Sequence, residues 1–247
     1  MTDMRFYGRG LPNVELTHLP GKLIVLEGPD GVGRSTQVAL LREWLEAQGY
    51  AVFTSGLRRS ELASAGIEAA KQGHTFGHIT MALFYAADFC DRLEREIIPM
   101  LRAGFVVLTD RYIYSLMARA LVRGVDKHWV QSLMGIALVP DAVFYLKTDV
   151  ESLVPRVLGT RGFDYWETGL DFLPSSDYYQ SYVDYQGRML RCFDELGVEY
   201  GFQVVDASRP IEDVFADLKW GIDRIVSTLK SKGEPTCPPT DAPATAS

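Results

Sequence analysis

The sequence predicts an α/β fold, a five-stranded parallel sheet with helices on both faces. Short apolar runs alternate with longer amphipathic stretches along most of the chain. The runs are rich in Val, Ile, Leu and Phe, as strands covered on both faces require. The stretches between them repeat apolar residues at helical spacing. Such alternation favours parallel pairing, because each helix returns the chain to the same end of the sheet.

The elements follow in order. Leu23–Leu26 (LIVL) is the first predicted strand, and Val38, Leu41 and Leu45 mark the helix after it. Ala51–Phe53 (AVF) is the second strand. Leu93, Ile97 and Leu101 form a helical stripe before the third, Phe105–Leu108 (FVVL). Ala142–Leu146 (AVFYL) and Phe202–Val205 (FQVV) complete the sheet, and Val214, Leu218, Ile222 and Ile225 mark a closing helix. In sheets wound this way ligands bind at the carboxyl ends of the strands. The residues after each run are therefore where chemistry is sought.

A chain of 247 residues suits one large domain. Residues 21–229 form it. Residues 1–20, with Gly8, Gly10, Pro12 and Pro20, read as an irregular extension on its surface. Residues 230–247 read as a disordered tail, because four prolines and no large apolar side chain cannot offset the entropy of ordering. Thirty-two acidic against 25 basic residues give a net charge of −7, which disfavours a nucleic-acid polymer as partner but leaves room for a local anion pocket. Cys90, Cys192 and Cys237 form no CxxC pair, which argues against a disulfide scaffold or a cysteine zinc site. No apolar run reaches the roughly 18 residues of a membrane span, and the first twenty residues lack a signal-peptide core. A cytoplasmic protein with no membrane partner is expected. His74 and His78 share a helix face without a third metal ligand. Tyr178, Tyr179, Tyr182 and Tyr185 have the spacing of a packing face.

The first strand runs into Gly28-Pro29-Asp30-Gly31-Val32-Gly33-Arg34-Ser35-Thr36. This satisfies the phosphate-loop pattern G-x-x-x-x-G-K-[ST] except at Arg34, where lysine is expected. Glycines let the backbone turn its N–H groups onto phosphate oxygens, and the following helix adds its positive end. Ser35 would sit on Mg²⁺. The loop places the sheet in the three-layer sandwich of P-loop NTPases. Arginine keeps the charge of lysine but is bulkier and planar. Arg34 thus allows two readings, a working site of altered geometry or a loop that binds nucleotide without transferring phosphoryl groups.

Four motifs in order resemble the thymidylate kinase family of P-loop nucleoside monophosphate kinases. They are Leu26–Gly33 (LEGPDGVG), Leu83–Asp88 (LFYAAD), Val106–Tyr112 (VVLTDRY), and Val204–Ala207 (VVDA) followed by Pro210 and a helix. The resemblance spans roughly 21–229 and implies transfer of a phosphoryl group from ATP to thymidine monophosphate (dTMP). It implies that Gly28 to Thr36 hold the donor phosphates with Arg34 as counter-charge. Ser35 and Asp110 would hold Mg²⁺. Asp30 would stand between donor and acceptor, and Arg111 would clamp the acceptor phosphate. Phe84, or Tyr85 beside it, would stack on the acceptor base, with Tyr112 nearby. The resemblance also implies a homodimer. Residues 155–177 resemble the family's lid, with Arg161 first and Arg156 second as the arginine that neutralises transition-state charge.

The departures gather at the acceptor. One helical turn after the stacking aromatic the family carries arginine, where this chain has Asp88 or Phe89. Arg92, a further turn along, is the candidate substitute. Ser115-Leu116-Met117-Ala118-Arg119-Ala120-Leu121 replaces S-x-A-Y-Q-G, so the base-reading Tyr and Gln are gone and Arg119 is new, a further candidate to bind the acceptor. Thr54–Arg59 stands where a Glu-Pro motif is expected. Three readings stay open: a dTMP kinase, a related small-molecule kinase with another acceptor, and a nucleotide-binding regulatory module without transferase activity.

Overall fold

The computed structural model describes residues 4–57, 60, 63–73, 76–160, 162–173 and 177–230. Five strands, β1 (Lys22–Glu27), β2 (Val52–Gly56), β3 (Val106–Asp110), β4 (Ala142–Lys147) and β5 (Gln203–Asp206), form one sheet in the order β2-β3-β1-β4-β5. Every pairing is parallel. The helices are α1 (Arg34–Ala47), α2 (Ser64–Gly73), α3 (His78–Arg92), α4 (Ile98–Arg102), α5 (Ile113–Leu121), α6 (Lys127–Met134), α7 (Val150–Leu158), α8 (Tyr178–Tyr200) and α9 (Ile211–Lys230). A π-helical turn, Leu93–Ile97, joins α3 to α4.

Alternate residues of each inner strand enter opposite cores, as the period of two demands. Leu23, Val25, Val107 and Tyr145 pack with α3, α5, α6 and α8. Ile24, Leu26, Val106, Leu108 and Phe144 pack with α1 and α9. This is the α/β sandwich that the apolar runs predict. Two details differ. Val204 of β5 is 61% exposed, because β5 is an edge strand rather than one covered on both faces. Val226, not Ile225, completes the buried stripe of α9.

Strands β1 and β3 also outrun their apolar segments and carry Glu27 and Asp110 to the carboxyl end of the sheet. Residues 4–20 lie against the connection between α6 and β4. The Tyr7 N–H donates to the Ala137 carbonyl at 2.9 Å, and the Tyr7 and Tyr114 hydroxyls meet at 2.6 Å. Of the tail expected at 230–247, Lys230 is the last residue of α9, and 231–247 lie outside the described residues. Among the described residues no helix is long and apolar enough to cross a membrane.

Candidate active site

The loop between β1 and α1 is held close to β4. At Gly28, φ is 148°, and a Cβ there would lie 2.6 Å from the Leu146 carbonyl oxygen. Only glycine permits both. Gly33, at φ 100°, turns the chain into α1. The next side chain, Arg34, is 7% exposed. Its Nη1 donates to the carbonyls of Gly28 and Pro29, and its Nε donates to Asp110 Oδ1 at 2.8 Å. The Ser35 hydroxyl donates to the other Asp110 oxygen at 2.9 Å. Burial pushes the Asp110 carboxyl up, but Arg34, Arg111 and these hydrogen bonds outweigh it and hold the group below the usual carboxylate range.

Asp30 faces two arginines. Arg111 Nη2 donates to its Oδ1, and Arg119 Nη2 donates to its Oδ2 at 3.3 Å. Burial would raise the Asp30 pKa, yet Arg111, Arg119 and Arg34 together hold it well below the ordinary value. Arg111 itself has φ 73°, a left-handed conformation that costs a non-glycine residue about 1–3 kcal/mol. Its N–H donates to the Leu26 carbonyl at 2.9 Å. Beyond it, the fully buried Glu27 accepts from the Tyr112 N–H at 2.8 Å and from the Ser115 N–H and hydroxyl at 3.1 and 2.6 Å. Glu27 thereby supplies from β1 the cap that the first turn of α5 needs. Burial pushes its pKa up despite those hydrogen bonds.

Two cavities meet here. A polar trough is lined by Asp30, Arg34, Ser35, Asp110, Arg111 and Arg119. An apolar chamber runs on between α3, α5 and α6, lined by Met81, Tyr85, Leu116, Met134, Trp166 and Tyr185 among others. Lys71, Arg119 and Glu167 line both. The Arg119 guanidinium also lies 6.0 Å from the centre of the Tyr85 ring.

The expected donor residues Asp30, Arg34, Ser35 and Asp110 therefore come together, with Arg111 and Arg119 beside them. Other expected acceptor residues do not reach these cavities. Phe84 packs on Phe76, with ring centres 4.6 Å apart, and against Gly66 of α2. Tyr85, on the neighbouring face of α3, is the aromatic that lines the chamber. Arg92 is 1% exposed; it donates to Asp88 Oδ2 at 3.1 Å and to the Ser55 hydroxyl at 3.2 Å. Tyr112 is fully buried and donates to the Leu138 carbonyl at 3.0 Å. Arg156 donates to the Ala207 carbonyl at 3.2 Å, tying α7 to the loop after β5. Arg161 lies outside the described residues, as do Arg58, Arg59 and His74.

Residues 162–173 of the expected lid lie against α3, α5 and α8. Arg123, just past α5, spends all five N–H donors: three reach this segment, two on Asp171 and one on the Trp166 carbonyl, and the others go to the Arg119 carbonyl and the Tyr185 hydroxyl. This clamp sets Trp166 over the chamber. Sequence reasoning assigned no role to Glu27, Lys71, Arg123 or Trp166. Only Glu27 carried a usable signal, an acid closing an otherwise apolar strand.

Residues 26–218 match the family model described as thymidylate kinase. The chain is 37% identical over 201 residues to the probable thymidylate kinase 2 of Saccharolobus solfataricus, covering 81% of this chain and 94% of that protein. It is 36% identical over 211 residues to the thymidylate kinase of Clavibacter michiganensis subsp. michiganensis, with the same coverage of 81% and 94%. It is 40% identical over 144 residues to the probable thymidylate kinase of Thermococcus kodakarensis, covering 54% of this chain and 70% of that one. With the phosphate loop, the Asp110-Arg111 strand end and the adjoining chamber in place, the match to most of its length shows that this chain belongs to the thymidylate kinase family.

Proposed function

We propose that the protein transfers the γ-phosphoryl group of ATP to dTMP, giving ADP and dTDP. The observation that carries this reading is the polar trough at the phosphate loop opening directly into an apolar chamber. A nucleoside monophosphate placed across the two has its phosphate at Arg111 and Arg119 and its base against Tyr85 and Trp166. The chamber's apolar lining suits a flat pyrimidine with few polar edges.

The chain's own groups then divide the work. The loop backbone and Arg34 hold the donor phosphates. Arg111 and Arg119 draw the acceptor phosphate toward them, and positioning supplies much of the rate in phosphoryl transfer. Asp30 is no general base, because its pKa is held low and a monophosphate oxygen is already ionised. It holds Arg111 and Arg119 in place. The Ser35 hydroxyl and Asp110 carboxylate are hard oxygen donors of the kind Mg²⁺ accepts alongside substrate phosphates, and Mg²⁺ would neutralise charge on those phosphates. Segment 162–173 covers the chamber and limits water. Arg156 and Arg161 stand as second and first choice for transition-state charge. The exposed Ile79 and Leu83 on α3 offer a surface for the homodimer, and the water-soluble substrates fit a cytoplasmic setting.

Arg119 and Ala120, which stand where the family reads the base, favour a second reading, a related kinase with another acceptor. A coupled ADP-release assay with Mg-ATP decides. It compares dTMP, dUMP, UMP, CMP, AMP and GMP with an acceptor-free control. Turnover strongest with dTMP is the expected result. Turnover strongest with another monophosphate moves the acceptor, and ATP binding without transfer to any of them overturns the kinase reading.

A further inference from the structure

Lys71 stands on α2 where the trough meets the chamber, and it lines both. Its side chain is 14% exposed. Its one ionic contact among the described residues, Asp164, is 3.9 Å away, beyond hydrogen-bond reach. The other cations of the trough already have closer partners, though each keeps further N–H donors. Arg34 binds Asp110 and two loop carbonyls, while Arg111 and Arg119 share Asp30. A largely buried charge is normally paired and hydrogen-bonded, and an ammonium carries three donors. Lys71 therefore brings unspent donors to the junction of the two cavities.

Charge points the same way. Among the described residues, four cations (Arg34, Lys71, Arg111 and Arg119) line the trough against three acids (Asp30, Asp110 and Glu167), a formal excess of one positive charge. Helix α3 contributes no cation to the trough, since Phe89 is fully buried and Arg92 is paired with Asp88. The main chain of Lys71 is also tied to the segment over the chamber, its carbonyl accepting from Trp166 Nε1 at 3.0 Å. The same residue thus faces the phosphate end of an acceptor and anchors the ring that covers its base.

We propose that Lys71 is a ligand of the acceptor's monophosphate, exchanging its long contact with Asp164 for phosphate oxygens. It brings to the trough a cation from α2, where α3 brings none. The proposal rests on the phosphotransfer reading above, and it assigns Lys71 to acceptor rather than donor binding.

The test compares wild type with Lys71→Met, Lys71→Gln and Lys71→Arg in the full chain. Methionine keeps much of the apolar stem and the carbonyl that holds Trp166, but removes the charge. With whichever monophosphate the wild type turns over, the methionine and glutamine variants should raise the acceptor KM at least about tenfold, the scale of one lost charge-assisted hydrogen bond. The KM for ATP should stay within about twofold, and Lys71→Arg should restore most of the acceptor affinity. An unchanged acceptor KM, or equal rises for both substrates, overturns the proposal. If the wild type turns over no monophosphate, the phosphotransfer reading fails and a binding measurement decides about Lys71. Thermal unfolding with ADP present, with and without inorganic phosphate, is then the readout. A phosphate-dependent shift in wild type that is lost in both neutral variants upholds the anion site, and a shift that persists in them, or is absent from wild type, overturns it.

Discussion

The two ends of the site are built differently. On the reading proposed above, the donor end comes from one unbroken segment, Gly28 to Ser35, and one strand end, Asp110. On the same reading the acceptor end takes Lys71 from α2, Tyr85 from α3, Arg111 from the turn after β3, Arg119 from α5, and Trp166 and Glu167 from the segment before α8. A phosphate is recognised by backbone geometry and charge, which a short glycine-rich loop can supply by itself. A base is recognised by a shaped, mostly apolar space, which has to be enclosed by several elements. The donor end should therefore fail sharply when one side chain is removed, and the acceptor end gradually.

The sharpest failure is expected at the two groups that bind each other across the donor end. Arg34→Ala and Asp110→Ala should each lower kcat at least about a hundredfold, because electrostatics and positioning carry this chemistry. Removing Arg34 frees the carbonyls of Gly28 and Pro29 as well as Asp110. Steady-state kinetics at saturating ATP and acceptor measure the effect. Near-normal kcat in either variant would remove that residue from the machinery and erase the contrast between the two ends.

The boundary between the ends is Asp30, and its signature is pH. Its carboxyl ionises in the fold below its ordinary value of 3.8. The ionised group therefore contributes stability above about pH 3.8, and that contribution is lost as pH falls through the lower folded-state value. Asp30→Asn removes it and leaves Arg111 and Arg119 without their shared counter-ion. The loss at pH 7 should be about 2 kcal/mol, less than for a fully buried pair because Asp30 keeps some solvent contact. Urea midpoints from pH 7 down to pH 2 should show the gap between variant and wild type narrowing below about pH 4. A gap constant over that range would mean that the carboxylate does not hold the arginines. Glu27, three residues earlier, has the opposite sign. Burial raises its pKa above 4.5, so its contribution is present below that value and lost as pH rises through the folded one.

What was legible in the sequence follows the same division. The five strands could be read because a strand buried in a parallel sheet is an apolar run, and the phosphate loop because its spacing is fixed along one segment. The exposure of Val204 could not be read, since edge or centre is decided by strand order and not by local composition. Arg92 has the residue type and the helical spacing of a phosphate ligand, but spacing along α3 does not say which face meets Ser55 and which meets the chamber. Lys71 and Trp166 are 95 residues apart and are joined by one hydrogen bond. No local pattern encodes such a contact.

The smallest effect is also the most discriminating, because it separates two neighbouring rings. Phe84 and Tyr85 are adjacent, both aromatic and both on α3, and sequence alone favours Phe84 as the ring beneath the base. In the fold, Phe84 fills the space between α2 and Phe76, whereas Tyr85 faces the chamber with Arg119 above it. Tyr85→Leu should raise the acceptor KM about tenfold with little change in that for ATP, the scale of one lost base–aromatic stack. Phe84→Leu should leave both KM values within about twofold and cost about 1 kcal/mol of stability, as expected for a partly buried ring exchanged for a smaller apolar side chain. The reverse pattern would mean that the base lies on the α2 side of α3, and the chamber would lose its place as the acceptor site. A tenfold effect confined to Tyr85 would show that the acceptor end is set by which face of one helix the surrounding elements enclose, a property of packing that neighbours in sequence do not share.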